Sequence, residues 1–145
     1  MGPDVVRLTR TFHFSASHRL ANPALGEEEN RVLYGPSFRA HGHNYLLEVT
    51  VEGRVDPVTG MAADLEALEA TTRRAVLDLV DHLDLNTDVP ALAGVITTGE
   101  NLTPVFWSML SAALPAGALR RIAVVETANN TFEYYGGTAD GDAHD

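Results

Sequence analysis

Apolar and polar residues alternate along the first stretch of the chain: Val6, Leu8, Phe12 and Phe14 share one parity, and Arg7, Thr9, Thr11 and His13 share the other. Successive side chains of a strand point to opposite faces, so the alternation predicts a strand over 5–17 with one apolar face. His18 follows on the parity of Phe12 and Phe14, which directs it to the buried side. Asn22-Pro23, Gly26 and the Glu27-Glu28-Glu29 run then break the pattern, as a surface excursion with room for one short helical turn would. A second alternation predicts a strand over 41–52, with Tyr45, Leu47, Val49 and Val51 on one face and Asn44, Leu46, Glu48, Thr50 and Glu52 on the other. It ends at Asp56-Pro57-Val58-Thr59-Gly60, where Pro fixes φ and Gly admits the positive φ of a tight reversal.

Beyond that turn the apolar spacing changes to three and four. Leu65, Leu68, Thr72, Ala75, Val76 and Leu79 form one stripe behind Asp64, a capping residue, and predict a helix. A second helix starts near Thr97 or Thr98 and runs through Phe106, Trp107, Leu110 and Leu114 to Pro115. Thr97-Thr98-Gly99-Glu100 reads as a capping box closed by Thr97 and Glu100, and the same helix start offers free N–H groups to a ligand. Two further strands, over 118–127 and 131–135, are joined by Asn129-Asn130, residues that tolerate the left-handed conformations of a hairpin turn. The order β-β-α-α-β-β predicts an α+β domain over 1–136, a four-stranded antiparallel sheet with two helices on one face. The small, acidic stretch 137–145 reads as a disordered tail.

Composition narrows the chemistry. A chain of 145 residues is one domain of ordinary size, and no apolar run approaches the ~20 residues of a membrane span. Nothing near the N-terminus resembles a signal peptide, so a cytoplasmic location is the expectation. The absence of cysteine excludes disulfides, thiolate metal sites and a thiol nucleophile, which leaves histidines and carboxylates as ligands for any metal. A net charge of −10 argues against nucleic acid as a partner. All ten basic residues are arginine, the side chain that grips phosphate bidentately, so a small anionic ligand fits wherever a few converge.

His41-Gly42-His43 places two imidazoles on one face at the head of a strand, and His18 becomes their neighbour if the two strands pair antiparallel. Three nitrogens with no fourth protein ligand describe a zinc site open to water or substrate; the alternative is a group of hydrogen-bonded structural histidines. His13 has the wrong parity and His144 lies in the tail. Asp81-His82 reads either as a polar helix end or as an acid–base pair. Glu126, closing an apolar strand, is either a marginal surface group or an acceptor for the paired N–H groups of a heterocycle edge.

Six segments in order resemble the 6-pyruvoyl-tetrahydropterin synthase family: Phe14-Ser15-Ala16-Ser17-His18-Arg19-Leu20, His41-Gly42-His43-Asn44-Tyr45, Asp56 to Met61, Asp81-His82 with Leu85-Asn86, Thr98-Gly99-Glu100-Asn101, and Val125-Glu126-Thr127. Glu28-Glu29-Asn30 and Asp88-Val89-Pro90 are similar to the animal-type synthases rather than to the shorter 6-carboxytetrahydropterin synthases. The resemblance implies the T-fold, a homohexamer built as a dimer of trimers with sites between subunits, and loss of triphosphate from 7,8-dihydroneopterin triphosphate. It implies Zn2+ on His18, His41 and His43, a pterin ring anchored by Glu126 and seated by Thr97 and Thr98, and a proton relay through Asp81 and His82, this pair coming from a neighbouring chain. Arg19, beside a zinc ligand, is read as a phosphate contact. The family usually carries a general-base cysteine just before His-Gly-His, and here Ser37 stands in its place. A serine hydroxyl is far less acidic than a thiol. Three readings follow: a lyase altered or slowed, in which His82, backed by Asp81, activates Ser37 or takes the proton itself; a family member acting on a different pterin or purine-like substrate; and a zinc-containing pterin-binding protein without turnover. Ser37, His82 and Asp81 also supply the residue types of a hydrolytic triad, but no oxyanion-hole motif accompanies them.

Overall fold

A computed structural model describes residues 4–137; the tail expected over 137–145 lies outside the described residues from 138 onward. Strands β1 (Val5–His18) and β2 (His41–Arg54) pair antiparallel over their whole length, from Val5 opposite Arg54 to His18 opposite His41. Strand β4 (Leu119–Thr127) lies antiparallel to β2, and β5 (Asn130–Tyr134) antiparallel to β4. These four strands are the expected antiparallel sheet.

The sheet nevertheless has five strands and is mixed, in the order β3-β1-β2-β4-β5, which corrects the four-stranded expectation. The addition is β3 (Leu83–Asp84), parallel to β1 beside Ala16 and Ser17. Two residues are too few to show alternation. What recruits them is the exposed edge of β1: the His82 N–H donates to the Ser15 carbonyl (2.6 Å) and the Leu85 N–H to that of Ser17 (2.8 Å).

Among the described residues the helices number three rather than two. The excursion after β1 contains α1 (Glu27–Tyr34). Its apolar pattern is weak, and buried Asn30 holds it instead: the Asn30 side chain accepts from the Asn22 N–H (2.7 Å) and donates to the carbonyls of Asn22, Leu25 and Gly26. Helix α2 begins at Leu65, where Asp64 Oδ1 accepts from the Ala67 N–H (3.0 Å) as expected. It runs as α-helix over Leu65–Thr72, as π-helix over Arg73–Leu77 and again as α-helix over Asp78–Val80. The π segment adds one residue to the turn and rotates the stripe: Leu68, Thr72 and Val76 are buried as expected, but Leu77 and Val80 follow them inward and Leu79 is exposed. Helix α3 (Gly99–Ser111) starts later than expected. Thr98, not Thr97, is its cap, with Thr98 Oγ1 accepting from the Asn101 N–H (3.3 Å). Both threonines satisfy the sequence rule, and Thr97 is engaged elsewhere. The β4–β5 hairpin forms without left-handed asparagines, because among the described residues His82 is the one non-glycine with positive φ.

Sheet and helices meet on one face of the sheet. Phe12, Phe14, Tyr45, Leu47, Val49, Ile122 and Val124 point inward against Leu68, Val76 and Val80 of α2 and Leu102, Phe106 and Leu110 of α3. Phe14 stacks on Tyr45 (centroids 4.6 Å apart) and meets Phe106 edge-on (5.8 Å). Burial of this many large side chains anchors the β1–β2 pair, and so fixes the strand ends from which the histidines project.

Candidate metal centre and active site

The β1–β2 register sets His18 directly opposite His41, and Ala16 opposite His43. All three imidazoles therefore lie at one end of the inner face, with ring centroids 4.7 to 5.2 Å apart. One ring nitrogen from each lies within 4.8 Å of the others, a set that can hold a metal ion.

Two of the rings are oriented by carbonyls. His18 Nδ1 lies 3.0 Å from the Thr97 carbonyl oxygen and 3.1 Å from Thr97 Oγ1, and His41 Nδ1 lies 2.7 Å from the Arg39 carbonyl oxygen. A carbonyl only accepts, so in both rings Nδ1 carries the hydrogen and Nε2 carries the lone pair. His18 is 1% exposed and its Nε2 is buried with no hydrogen-bond partner. An orphaned buried acceptor is costly, and a metal ion satisfies it. Burial first, and then the neighbouring His41 and His43, push the His18 pKa down to about 4. Burial also lowers that of His43. Neutral imidazoles are the form that ligates, so the lowered pKa values of His18 and His43, with the clustering of all three rings, fit a metal.

Glu126 sits above this group. Its Oε2 is 3.9 Å from Nε2 of both His18 and His43, and its side chain is 15% exposed. Val125 pairs with Thr131 and Thr127 with Asn130, so Glu126 is the extra residue of a bulge that aims its carboxylate inward. The carboxylate thus lies against the histidines and is not a marginal surface group. Tyr45 lies beneath, 5.4 Å from the His43 ring, with its hydroxyl buried and unpartnered.

Asp81 and His82 follow the end of α2. Asp81 Oδ1 accepts from the Ser15 N–H (2.9 Å) and lies 3.0 Å from His82 Nδ1. His82 is held at φ +63°, a strained conformation for a side chain of this size, and its imidazole is 81% exposed. It shares an open cavity of about 520 Å³ with His43, Ser17 and Asp88.

The remaining sequence candidates occupy separate places. Ser37 lies on a 3-10 turn over Gly35–Phe38, where its carbonyl accepts from the Leu20 N–H (2.8 Å). Among the described residues no hydrogen bond joins Ser37 to Asp81 or His82, so this chain does not assemble a hydrolytic triad from them. Thr97 is fully buried behind His18, and Thr98 caps α3. Arg19 extends over the Phe38 ring, 4.6 Å from its centroid. Sequence reasoning missed the positioning role of Asn86. Its Oδ1 accepts from the Arg19 N–H (2.8 Å) and its Nδ2 donates to the Arg19 carbonyl (3.0 Å), which pins the backbone next to His18. A lone asparagine after Leu85 carries no signal of a partner 67 residues away.

This arrangement defines an α+β protein with a three-histidine site and an acidic side chain at its mouth. The family model described as 6-pyruvoyl tetrahydropterin synthase matches residues 7–137, and the chain belongs to that family. It is 42% identical over 132 residues to the human 6-pyruvoyl tetrahydrobiopterin synthase, covering 90% of this chain and 91% of the relative. It is 41% identical over 131 residues to that of Dictyostelium discoideum, covering 90% and 96%. The structure of the Caenorhabditis elegans 6-pyruvoyl tetrahydropterin synthase superimposes with a TM-score of 0.87 at 33% identity, covering 94% of this chain and 99% of that one. Among the described residues no helix is long and apolar enough to cross a membrane.

Proposed function

We propose that the chain is a zinc-dependent pterin lyase of the T-fold, eliminating triphosphate from 7,8-dihydroneopterin triphosphate, and that it works as a homohexamer with sites between subunits. The observation that carries the metal assignment is the buried, unpartnered Nε2 of His18 beside His41 and His43. The relatives' names, 6-pyruvoyl tetrahydrobiopterin synthase, support a pterin as the compound handled.

His18, His41 and His43 would hold the zinc, which when bound polarises substrate oxygens and acidifies a neighbouring C–H. Glu126 accepts the ring N–H and 2-amino N–H of the pterin and so orients the side chain of the substrate toward the histidines. Thr97 keeps the His18 tautomer fixed, while Thr98 and the start of α3 close the ring pocket. Asp81 beside Nδ1 of His82 leaves Nε2 of that ring free to take a proton and return it. The exposure of His82 suits a site shared with a neighbouring subunit. Ser37 stands where the family carries its thiol base, and a hydroxyl is far less acidic than a thiol, which leaves His82, backed by Asp81, to take the proton. The same observation favours a second reading, in which the chain binds zinc and a pterin but turns over a different substrate.

Anaerobic incubation of the zinc-loaded protein with 7,8-dihydroneopterin triphosphate, followed by mass spectrometry of pterins and release of triphosphate, separates these readings. Release with formation of 6-pyruvoyl-tetrahydropterin supports the first. Binding without release leaves the second. Glu126→Gln is expected to abolish pterin binding with the fold intact, and unchanged affinity removes Glu126 from the site.

A further inference from the structure

Among the described residues three buried side-chain atoms have no hydrogen-bond partner: Nε2 of His18, the hydroxyl of Tyr45 and the hydroxyl of Thr72. The first is the lone pair that a metal satisfies. The second lies beside it: the centroid of the fully buried Tyr45 ring is 5.4 Å from that of His43 and 6.2 Å from that of His18. Packing does not account for this hydroxyl. Tyr45 stacks on Phe14 with the rings 8° from parallel, and a phenylalanine would fill the same space without burying a polar group. A buried donor without an acceptor destabilises the fold, so its place is explained by a partner that arrives later.

Glu126 has the complementary deficit. Strands β2 and β4 pair Leu47 with Val124 and Leu46 with Val125, and the next position along each is Tyr45 and Glu126, on the inward parity of Leu47 and Val124. Side chains at such facing positions are immediate neighbours, with Cβ atoms about 4.5–5.5 Å apart in a regular ladder. The carboxylate lies 3.9 Å from Nε2 of both His18 and His43, beyond hydrogen-bond reach, and Nε2 of His18 carries a lone pair and has no proton to give. Neither contact orients the carboxylate. Burial, and after it the Glu126 charge, push the Tyr45 pKa up, so the hydroxyl keeps its proton and remains a donor.

We infer that Tyr45 is the positioning residue of Glu126: with a pterin in the site, its hydroxyl donates to the carboxylate and leaves the remaining lone pairs aimed at the two N–H groups of the ring edge. The two oxygens of a carboxylate offer about four acceptor directions, enough for the ring N–H, the 2-amino N–H and the phenol together. The inference rests on the pterin-lyase reading above, in which Glu126 anchors the ring, and adds the residue that holds the anchor still. A bidentate acceptor has to be placed to within about 0.5 Å, and a donor in the core, locked by its stack on Phe14, supplies that precision. Tyr45 acts through Glu126 and not on the reacting carbons.

Tyr45→Phe tests this with the core intact, because the ring and its stack on Phe14 remain. Zinc-loaded wild-type and variant proteins are titrated with neopterin, with pterin fluorescence as the readout. The variant is expected to bind at least about tenfold more weakly, the scale of one hydrogen bond to a charged group. Its zinc affinity, in competition against a chelating dye, is expected to stay within about twofold, and its urea midpoint to equal or exceed that of the wild type, since an unpartnered hydroxyl has been removed. The lumazine analogue of neopterin carries an oxygen in place of the 2-amino group and cannot offer the carboxylate two N–H donors, so the two proteins should bind it alike to within about twofold. Unchanged neopterin affinity in the variant overturns the positioning role and leaves Glu126 as the anchor. An equal loss on both ligands, or a loss accompanied by weaker zinc binding or a lower urea midpoint, makes Tyr45 a support of the histidine strands and overturns the role as well. Failure of the wild type to bind neopterin overturns the pterin reading, and the role of Tyr45 with it.

Discussion

His18 Nδ1 lies 3.0 Å from the carbonyl oxygen and 3.1 Å from the hydroxyl of Thr97, a residue 79 positions further along the chain. The contact joins the end of β1 to the segment leading into α3, and it decides which nitrogen of a fully buried ring is free. Outer partners of this kind are worth about 10- to 100-fold in metal affinity. Thr97→Val keeps the carbonyl and the shape but removes the hydroxyl, which also donates to the Arg19 carbonyl (3.3 Å). The expected result is a loss of zinc affinity of about tenfold in a competition titration against a chelating dye, with little change in secondary structure. Unaltered affinity would mean that the carbonyl alone orients the ring.

Gly99 opens α3 with its Cα against the Phe132 ring of β5, so closely that an added Cβ would overlap Cγ, Cδ2 and Cε2 of that ring. The contact ties the helix start to the hairpin that carries Glu126. Gly99→Ala is expected to cost about 1–3 kcal/mol, as overpacking does, and to weaken pterin binding by shifting the bulge. Pairing it with Phe132→Ala removes the clash, so the double variant should lose less stability in urea melts than the sum of the two single variants. Strict additivity would show that the ring and the glycine do not constrain each other.

Much of this geometry is legible in the order of residues alone. The alternation through Phe12 and Phe14 and through Tyr45 and Leu47 sets the parity of His18, His41 and His43, and antiparallel pairing then brings them together. Where period and parity carry the information, the sequence is sufficient. It falls short where a single inserted residue or a distant partner decides. The π segment turns Leu77 and Val80 inward in place of Leu79, and periodicity read at 3.6 residues per turn has no means of anticipating that. The bulge at Glu126 determines where its carboxylate aims, β3 is two residues recruited by an exposed edge, and α1 depends on hydrogen bonds of Asn30. Thr97 and Thr98 are equivalent as capping residues, and only the position of His18 tells them apart.

His82 holds a left-handed backbone at φ +63° while its Nδ1 faces Asp81 Oδ1 at 3.0 Å. A non-glycine residue there costs about 1–2 kcal/mol, and its exposed ring buries little to offset that. His82→Gly removes the strain and adds unfolded-state freedom, so stability should hold or rise by up to about 1 kcal/mol. Turnover should fall by about 10²-fold or more, the scale of a lost general acid or base. A thermal melt and a rate measurement on one preparation check both. A less stable variant would show that the Asp81 contact outweighs the strain, and retained turnover would take His82 out of the relay.

Ser37 offers the most direct reading of the base. It lies on the turn over Gly35–Phe38 that leads into Arg39 and the His41 segment, and its hydroxyl makes no hydrogen bond to the Asp81–His82 pair. A hydroxyl in that state is a poor proton acceptor, whereas a thiol with a pKa near ~8.5 ionises appreciably at neutral pH. If this position still faces the substrate, Ser37→Cys is expected to raise kcat by at least about tenfold and to add an alkaline limb to the rate profile that reports thiolate formation. Iodoacetamide should abolish the gain, since the chain has no other cysteine. Ser37→Ala should leave the wild-type rate nearly unchanged if His82 already carries the proton. A cysteine variant no faster than wild type, with the thiol labelled but the rate unmoved, would place this turn outside the reacting centre and leave His82 with Asp81 as its only base.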